Sequence, residues 1–166
     1  MRKRRVGRVC VVAALVLAVV GCGDDGEEVE ESVRDAATSV ASRVEGATRL
    51  TATLTGAAEV PTPGDPDATG TATVNVDVTK GEVCYEVAVQ KIDRPTAMHI
   101  HEGEAGRAGG IVVPLTTPTA SDTTTTGCAN ADAALIGRIT ANPDDFYVNV
   151  HTQTYPQGAA RGQLSQ

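Results

Sequence analysis

The chain has no tryptophan, one phenylalanine and three tyrosines in 166 residues. So few rings offer no run of platforms on which nucleobases would stack. Positive charge is scarce as well, because five of the fourteen Lys and Arg residues are Arg2, Lys3, Arg4, Arg5 and Arg8. Beyond residue 21, nine basic residues face twenty-one acidic ones, a net of −12. Such a surface repels phosphate backbones and anionic lipid headgroups alike, which argues against nucleic acid as a partner. Catalytic signatures are also missing. No G-x-S-x-G is present, so a hydrolase built on a nucleophile elbow has no support. The stretch GEAGRAGG (Gly103–Gly110) lacks the Lys and helix that follow a phosphate loop, and IVVPL after it reads as a strand. It is expected to be a turn between two strands. Asp65, Asp67 and Asp77 fit no calcium-loop spacing.

What is present begins with a cationic N-terminus followed by an apolar stretch, Val9 to Val20, of twelve residues. That is short of the roughly 20 needed to span a bilayer, so residues 1–21 read as an export signal. Its end, Val19-Val20-Gly21-Cys22, resembles the lipobox of bacterial lipoproteins. The resemblance implies that Cys22 is lipidated and becomes the first mature residue, while Cys10 is discarded. Membrane contact is then expected through the lipid on Cys22, at the outer face of the cytoplasmic membrane or at the outer membrane.

Residues 22–48 form a second region. GDDGEEVEE (Gly23–Glu31) reads as a solvated acidic tether. Val29, Val33, Ala36 or Ala37, Val40 and Val44 then recur at helical spacing, with Ser32 as N-cap, Asp35 three residues on and Gly46 as stop. The spacing predicts a short helix with a narrow stripe, suited to a stalk or a lid.

From Arg49 to Gln166 the period becomes two. Leu50, Ala52 and Leu54 alternate with threonines; Ala72, Val74, Val76 and Val78 alternate with polar residues; Val83, Tyr85, Val87 and Val89 follow. Turn residues such as Pro61-Thr62-Pro63-Gly64 and Lys80-Gly81 bound these runs. The expected fold is all-β: an antiparallel Greek-key sandwich or barrel of seven or eight strands. One exception is Ala131–Ala141, where Ala134, Leu135 and Ile139 have helical spacing before Asn142-Pro143. A crossover helix of one or two turns is predicted there. Arg161-Gly162 opens the last strand, where a buried or paired arginine is expected.

All three histidines lie in two of the strand-like runs, TAMHIHEG (Thr96–Gly103) and DFYVNVHTQ (Asp145–Gln153). Alternation puts His99 and His101 on one face, with Met98 and Ile100 on the other. It likewise separates Tyr147, Asn149 and His151 from Phe146, Val148 and Val150. If the two strands are neighbours, three imidazoles share a face and can converge on one ion at about 2 Å, as for copper or zinc. The competing reading is a set of hydrogen-bonded surface histidines that order the glycine-rich loop. Glu102 and Glu104 beside the histidines are candidate outer partners or a fourth ligand, and Asn149 and Tyr147 are placed to act as outer partners too.

Cys84 and Cys128 remain once Cys10 and Cys22 are set aside. An even pair in an exported domain favours a disulfide, and two free thiols as metal ligands is the alternative.

The segments LTGAAEVP, DATGTATVNVD, MHIHEGEAGRAGGIVVPL and FYVNVHTQTYPQGAARGQL, spread between Leu50 and Leu164, resemble the bacterial members of the chordin-type (CHRD) domain family. The resemblance implies a secreted β-sandwich-like module of poorly defined activity. Its motif histidines fall on His99, His101 and His151, and its paired cysteines on Cys84 and Cys128. HIHEG is also similar to the copper-binding strand of copper/zinc superoxide dismutase. No histidine follows it in GEAGRAGGIVVPL to bridge a second metal, and there is no zinc cluster, so only a mononuclear half site carries over.

These readings predict a lipid-anchored binding or structural module of the cell envelope with a three-histidine site for one copper or zinc ion. The alternative is a copper/zinc-binding protein or a dismutase-like metalloenzyme. No residue pattern specifies a catalytic reaction. An envelope or extracellular protein partner docking on an open sheet edge is a further expectation, without a sequence mark of its own.

Overall fold

The computed structural model describes residues 47–121 and 123–166. The export signal, Cys22, the tether and the helix expected over Val29–Val44 therefore lie outside the described residues. Eight strands follow: β1 (Thr48–Thr55), β2 (Thr69–Asp77), β3 (Glu82–Gln90), β4 (Pro95–Glu102), β5 (Gly110–Leu115), β6 (Thr124–Asn130), β7 (Phe146–Thr152) and β8 (Ala160–Gln163). All their pairings are antiparallel, in one sheet of order β5-β4-β7-β8-β1-β2-β3-β6. The sheet curls until its edge strands β5 and β6 lie beside each other, giving a nearly closed barrel. Across that seam the order β7-β4-β5-β6 is a Greek key, three consecutive strands with the next returning beside the first.

The alternation read from the sequence is what closes the barrel. Leu50, Ala52 and Leu54 of β1, Ala72, Val74 and Val76 of β2, and Val83, Tyr85, Val87 and Val89 of β3 are all buried. Met98 and Ile100 of β4 meet them with Phe146, Val148 and Val150 of β7 in one core. Most of these side chains are small and β-branched, so they fill a narrow barrel that large rings would overpack. Phe146 and Tyr85 are the inward rings among them, and Tyr85 needs room made for it. It fits because Gly127 lies directly opposite on β6, where any Cβ would collide with the tyrosine ring. Its hydroxyl accepts a hydrogen bond from the Thr116 N–H at 2.6 Å.

Two sequence expectations need correction. Val78 is not on the inward face but 56 % exposed, because β2 ends at Asp77. The Asp77 carboxylate accepts from the N–H groups of Thr79 and Lys80, both at 3.0 Å, and turns the chain. The crossover helix α1 runs over Ala133–Ala141, longer than the one or two turns expected. It buries Leu135, Ile136 and Ile139, while Ala134 is exposed. Asp132 caps it by accepting from the Leu135 N–H at 2.7 Å. Asp132→Ala is expected to lower stability by about 1 kcal/mol, measurable as a shift in the urea midpoint at constant slope.

Cys84 and Cys128 face each other directly across β3 and β6 and form a disulfide. The sulfurs are bonded to one another, which removes the thiol-ligand alternative.

Candidate metal centre

The pairing of β4 with β7 decides whether the histidines meet. His99 lies opposite Asn149, His101 opposite Tyr147, and Ala97 opposite His151. The strands are thus neighbours, and the three imidazoles stand on the outer face while Met98, Ile100, Val148 and Val150 fill the core. His99 Nδ1 and His151 Nε2 are 3.3 Å apart. One nitrogen from each of the three rings falls within 4.8 Å of the others, and among the described residues no cysteine or carboxylate joins the group. The ring centroids are 5.2 to 6.4 Å apart.

Two backbone carbonyls fix the protons. His101 Nδ1–H donates to the Gly109 carbonyl at 2.9 Å, and His151 Nδ1–H donates to the Pro156 carbonyl at 3.1 Å. Each leaves an Nε2 lone pair turned toward the cluster. His101 Nε2 is buried and has no hydrogen-bond partner, which in a folded interior calls for a reason. All three imidazoles have pKa values pushed below the usual histidine value, chiefly by burial. His99 is depressed further by the two neighbouring rings. The bonds to Gly109 and Pro156 oppose the shift at His101 and His151 without reversing it. The cluster is therefore neutral at pH 7 and rich in lone pairs.

The ground around it departs from simple alternation. Tyr147 and Asn149, expected on a polar outer face, are 4 % and 2 % exposed. The loop between β4 and β5 folds back over Tyr147, and Glu59 meets Asn149. Arg161, 2 % exposed, holds that loop by donating to the carbonyls of Arg107 and Glu104, each at 2.8 Å. Its guanidinium lies 3.4 Å from the centre of the Tyr147 ring. The Tyr147 ring in turn is stacked on His101, with centroids 4.8 Å apart and planes within 9°. Tyr147 Oη accepts from the Gly109 N–H at 3.1 Å, so one glycine ties both the tyrosine and the histidine.

Of the predicted outer partners, Tyr147 touches His101 and Asn149 sits opposite His99. Glu102 takes no part in the cluster. It follows His101 by one residue, is exposed, and accepts from Arg138 of α1 at 3.1 Å. Glu59 went unnoticed in the sequence. Its side chain is buried, and Oε1 accepts from Asn149 Nδ2 at 2.5 Å. A lone acid after Gly56-Ala57-Ala58 carries no periodicity that would have marked it.

Fold and face together define an all-β module with a histidine triad on one outer wall. The chain belongs to the CHRD domain family, whose model matches residues 50–164. No curated protein and no solved structure matches it.

Proposed function

We propose that this CHRD domain is an exported, lipid-anchored envelope module that binds one copper or zinc ion through His99, His101 and His151. The single observation that carries the reading is the convergence of three neutral ring nitrogens within 4.8 Å. Ligands about 2.0–2.1 Å from a tetrahedral ion are about 3.4 Å apart. The His99–His151 pair already has that spacing, at 3.3 Å. His101 would need to move by only a side-chain adjustment. His99 would present Nδ1 and the other two Nε2. The carbonyls of Gly109 and Pro156 then act as the outer partners that orient ligating histidines, and Tyr147 packs His101 from the side.

Copper is favoured over zinc by the general order of affinities for nitrogen ligands. The mixed donor set on an H-x-H strand also agrees with the resemblance of HIHEG to the dismutase copper strand. Dismutation itself is disfavoured. Superoxide is an anion, and the mature chain is strongly acidic, so steering works against its approach. Arg161, whose guanidinium lies over the Tyr147 ring that stacks on His101, is 2 % exposed and donates to loop carbonyls. The ion is better suited to being held or passed on than to turning over an anionic substrate. Cys22 would anchor the domain, with the acidic tether holding it off the bilayer.

Titration of the full chain with copper and with zinc, followed by calorimetry and elemental analysis, tests this. One ion per chain is expected, and binding no stronger than background would make the histidines purely structural. Tyr147→Leu is expected to weaken binding by about 10–100-fold, the usual cost of losing an outer partner. Unchanged affinity in that variant would remove Tyr147 from the positioning role.

A further inference from the structure

Behind the histidine face lies a polar contact that the metal reading does not use. Glu59 follows the short turn Gly56–Ala58 and is 5 % exposed. Asn149, on the outer face of β7, is 2 % exposed and donates Nδ2–H to Glu59 Oε1 at 2.5 Å. Its other polar atom, Oδ1, is buried without a partner. A buried amide oxygen left unpaired costs about 1–3 kcal/mol. A carboxylate beside it could not help, since it only accepts, whereas a protonated carboxyl carries a donor. The far side of the carboxyl is closed by Gly158, whose φ is +146° and where any Cβ would strike the Glu59 carboxyl group.

We propose that Glu59 is held as a neutral carboxylic acid that donates to Asn149 Oδ1 while accepting from Asn149 Nδ2. This acid–amide pair latches the segment Gly56–Asp65 to β7, directly before the loop Gln153–Ala159. That loop is joined to the same segment by the Asp65 N–H donating to the Ala159 carbonyl at 2.9 Å. The loop also carries Pro156, whose carbonyl fixes the His151 tautomer. Of the groups around Glu59, Arg161 of β8 is the charged one and pulls toward ionisation, as does the Asn149 bond. The bond from the Val60 N–H pulls the same way, but burial outweighs all three and pushes the Glu59 pKa up to about 7. Ionisation would release one proton to solvent, strand a charge in the interior and remove the donor from Asn149 Oδ1.

A carboxyl whose folded pKa is raised stabilises the fold fully below its ordinary pKa of 4.5, and that stability is lost as pH rises to about 7. Glu59→Gln supplies the same acceptor and a permanent donor. Between pH 4.5 and pH 8 the wild-type folding constant should fall on the order of 100-fold relative to Glu59→Gln. Taking the ratio cancels the histidines, which both proteins share. A flat ratio would overturn the proposal.

If Glu59→Gln does not fold, the carbon-13 resonance of the Glu59 carboxyl in the full-chain wild type decides. Titration near pH 7 supports the acid form, and titration near pH 4.5 excludes it. Where the variant does fold, amide exchange at Asp65 should accelerate above pH 7 more in wild type than in Glu59→Gln. Equal exchange would leave no latch.

Discussion

His99→Ala and His151→Ala are each expected to lower copper or zinc affinity by more than about 100-fold, beyond what loss of an outer partner costs. The two rings form the closest pair in the triad, 3.3 Å apart, so either truncation removes half of the best-formed part of the site. Neither should damage the fold, because both side chains are only half-buried on the outer face and the core beneath them is unchanged. Glu102→Gln is the control. Its carboxylate is taken up by Arg138, so affinity should not move. A variant that loses its histidine yet binds as tightly as wild type would refute the three-ligand site.

The same titration carries a pH signature. All three imidazoles have folded pKa values below the ordinary 6.5. Above pH 6.5 the lone pairs are available and binding releases few protons. As pH falls below 6.5 the unfolded chain takes up protons that the folded cluster refuses, so stability is lost progressively toward the folded values. Bound metal should deepen that loss, since the ligating nitrogens must be free of protons. Histidine stability is thus lost on the acid side of 6.5, whereas that from Glu59 is lost on the alkaline side of its ordinary value. Comparing each variant with wild type separates the two.

How much of this was legible in the sequence depends on which physical signal each residue carries. Period-two alternation gave the inward faces of β1, β2 and β3 almost residue by residue, because a strand with one wall in the core has no other way to satisfy its side chains. It failed at Val78, where a local Asp77 turn overrode the pattern. The shared face of His99 and His101 was readable from their spacing. Their meeting with His151 was not, since pairing of β4 with β7 is set by closure of the whole sheet. The same limit hid the second layer. Tyr147 and Asn149 read as outer-face partners of the histidines; Tyr147 is buried by the loop after β4, which Arg161 holds from β8, and Asn149 meets Glu59. Glu59 belongs to that layer and is ninety residues from Asn149. No local pattern encodes such a contact.

Replacing both Cys84 and Cys128 with serine is expected to lower stability by about 4 kcal/mol, the chain-entropy value for a closed loop of this size. The bridge spans 44 residues and encloses β4 and β5, so its loss frees the unfolded chain over the whole segment that carries His99 and His101. A barrel with one Phe and no Trp has little large-ring packing to offset that loss. The midpoint of denaturant unfolding should fall, and dithiothreitol should reproduce the shift in wild type. Metal binding is expected to survive in the folded fraction of the variant. The two sulfurs sit on β3 and β6, and neither strand is hydrogen-bonded to β4 or β7. Copper stoichiometry of one per folded chain in the double variant would place the ligands wholly on the histidine wall. Loss of stoichiometry at undiminished stability would instead make the cysteines part of the site, against the geometry described above.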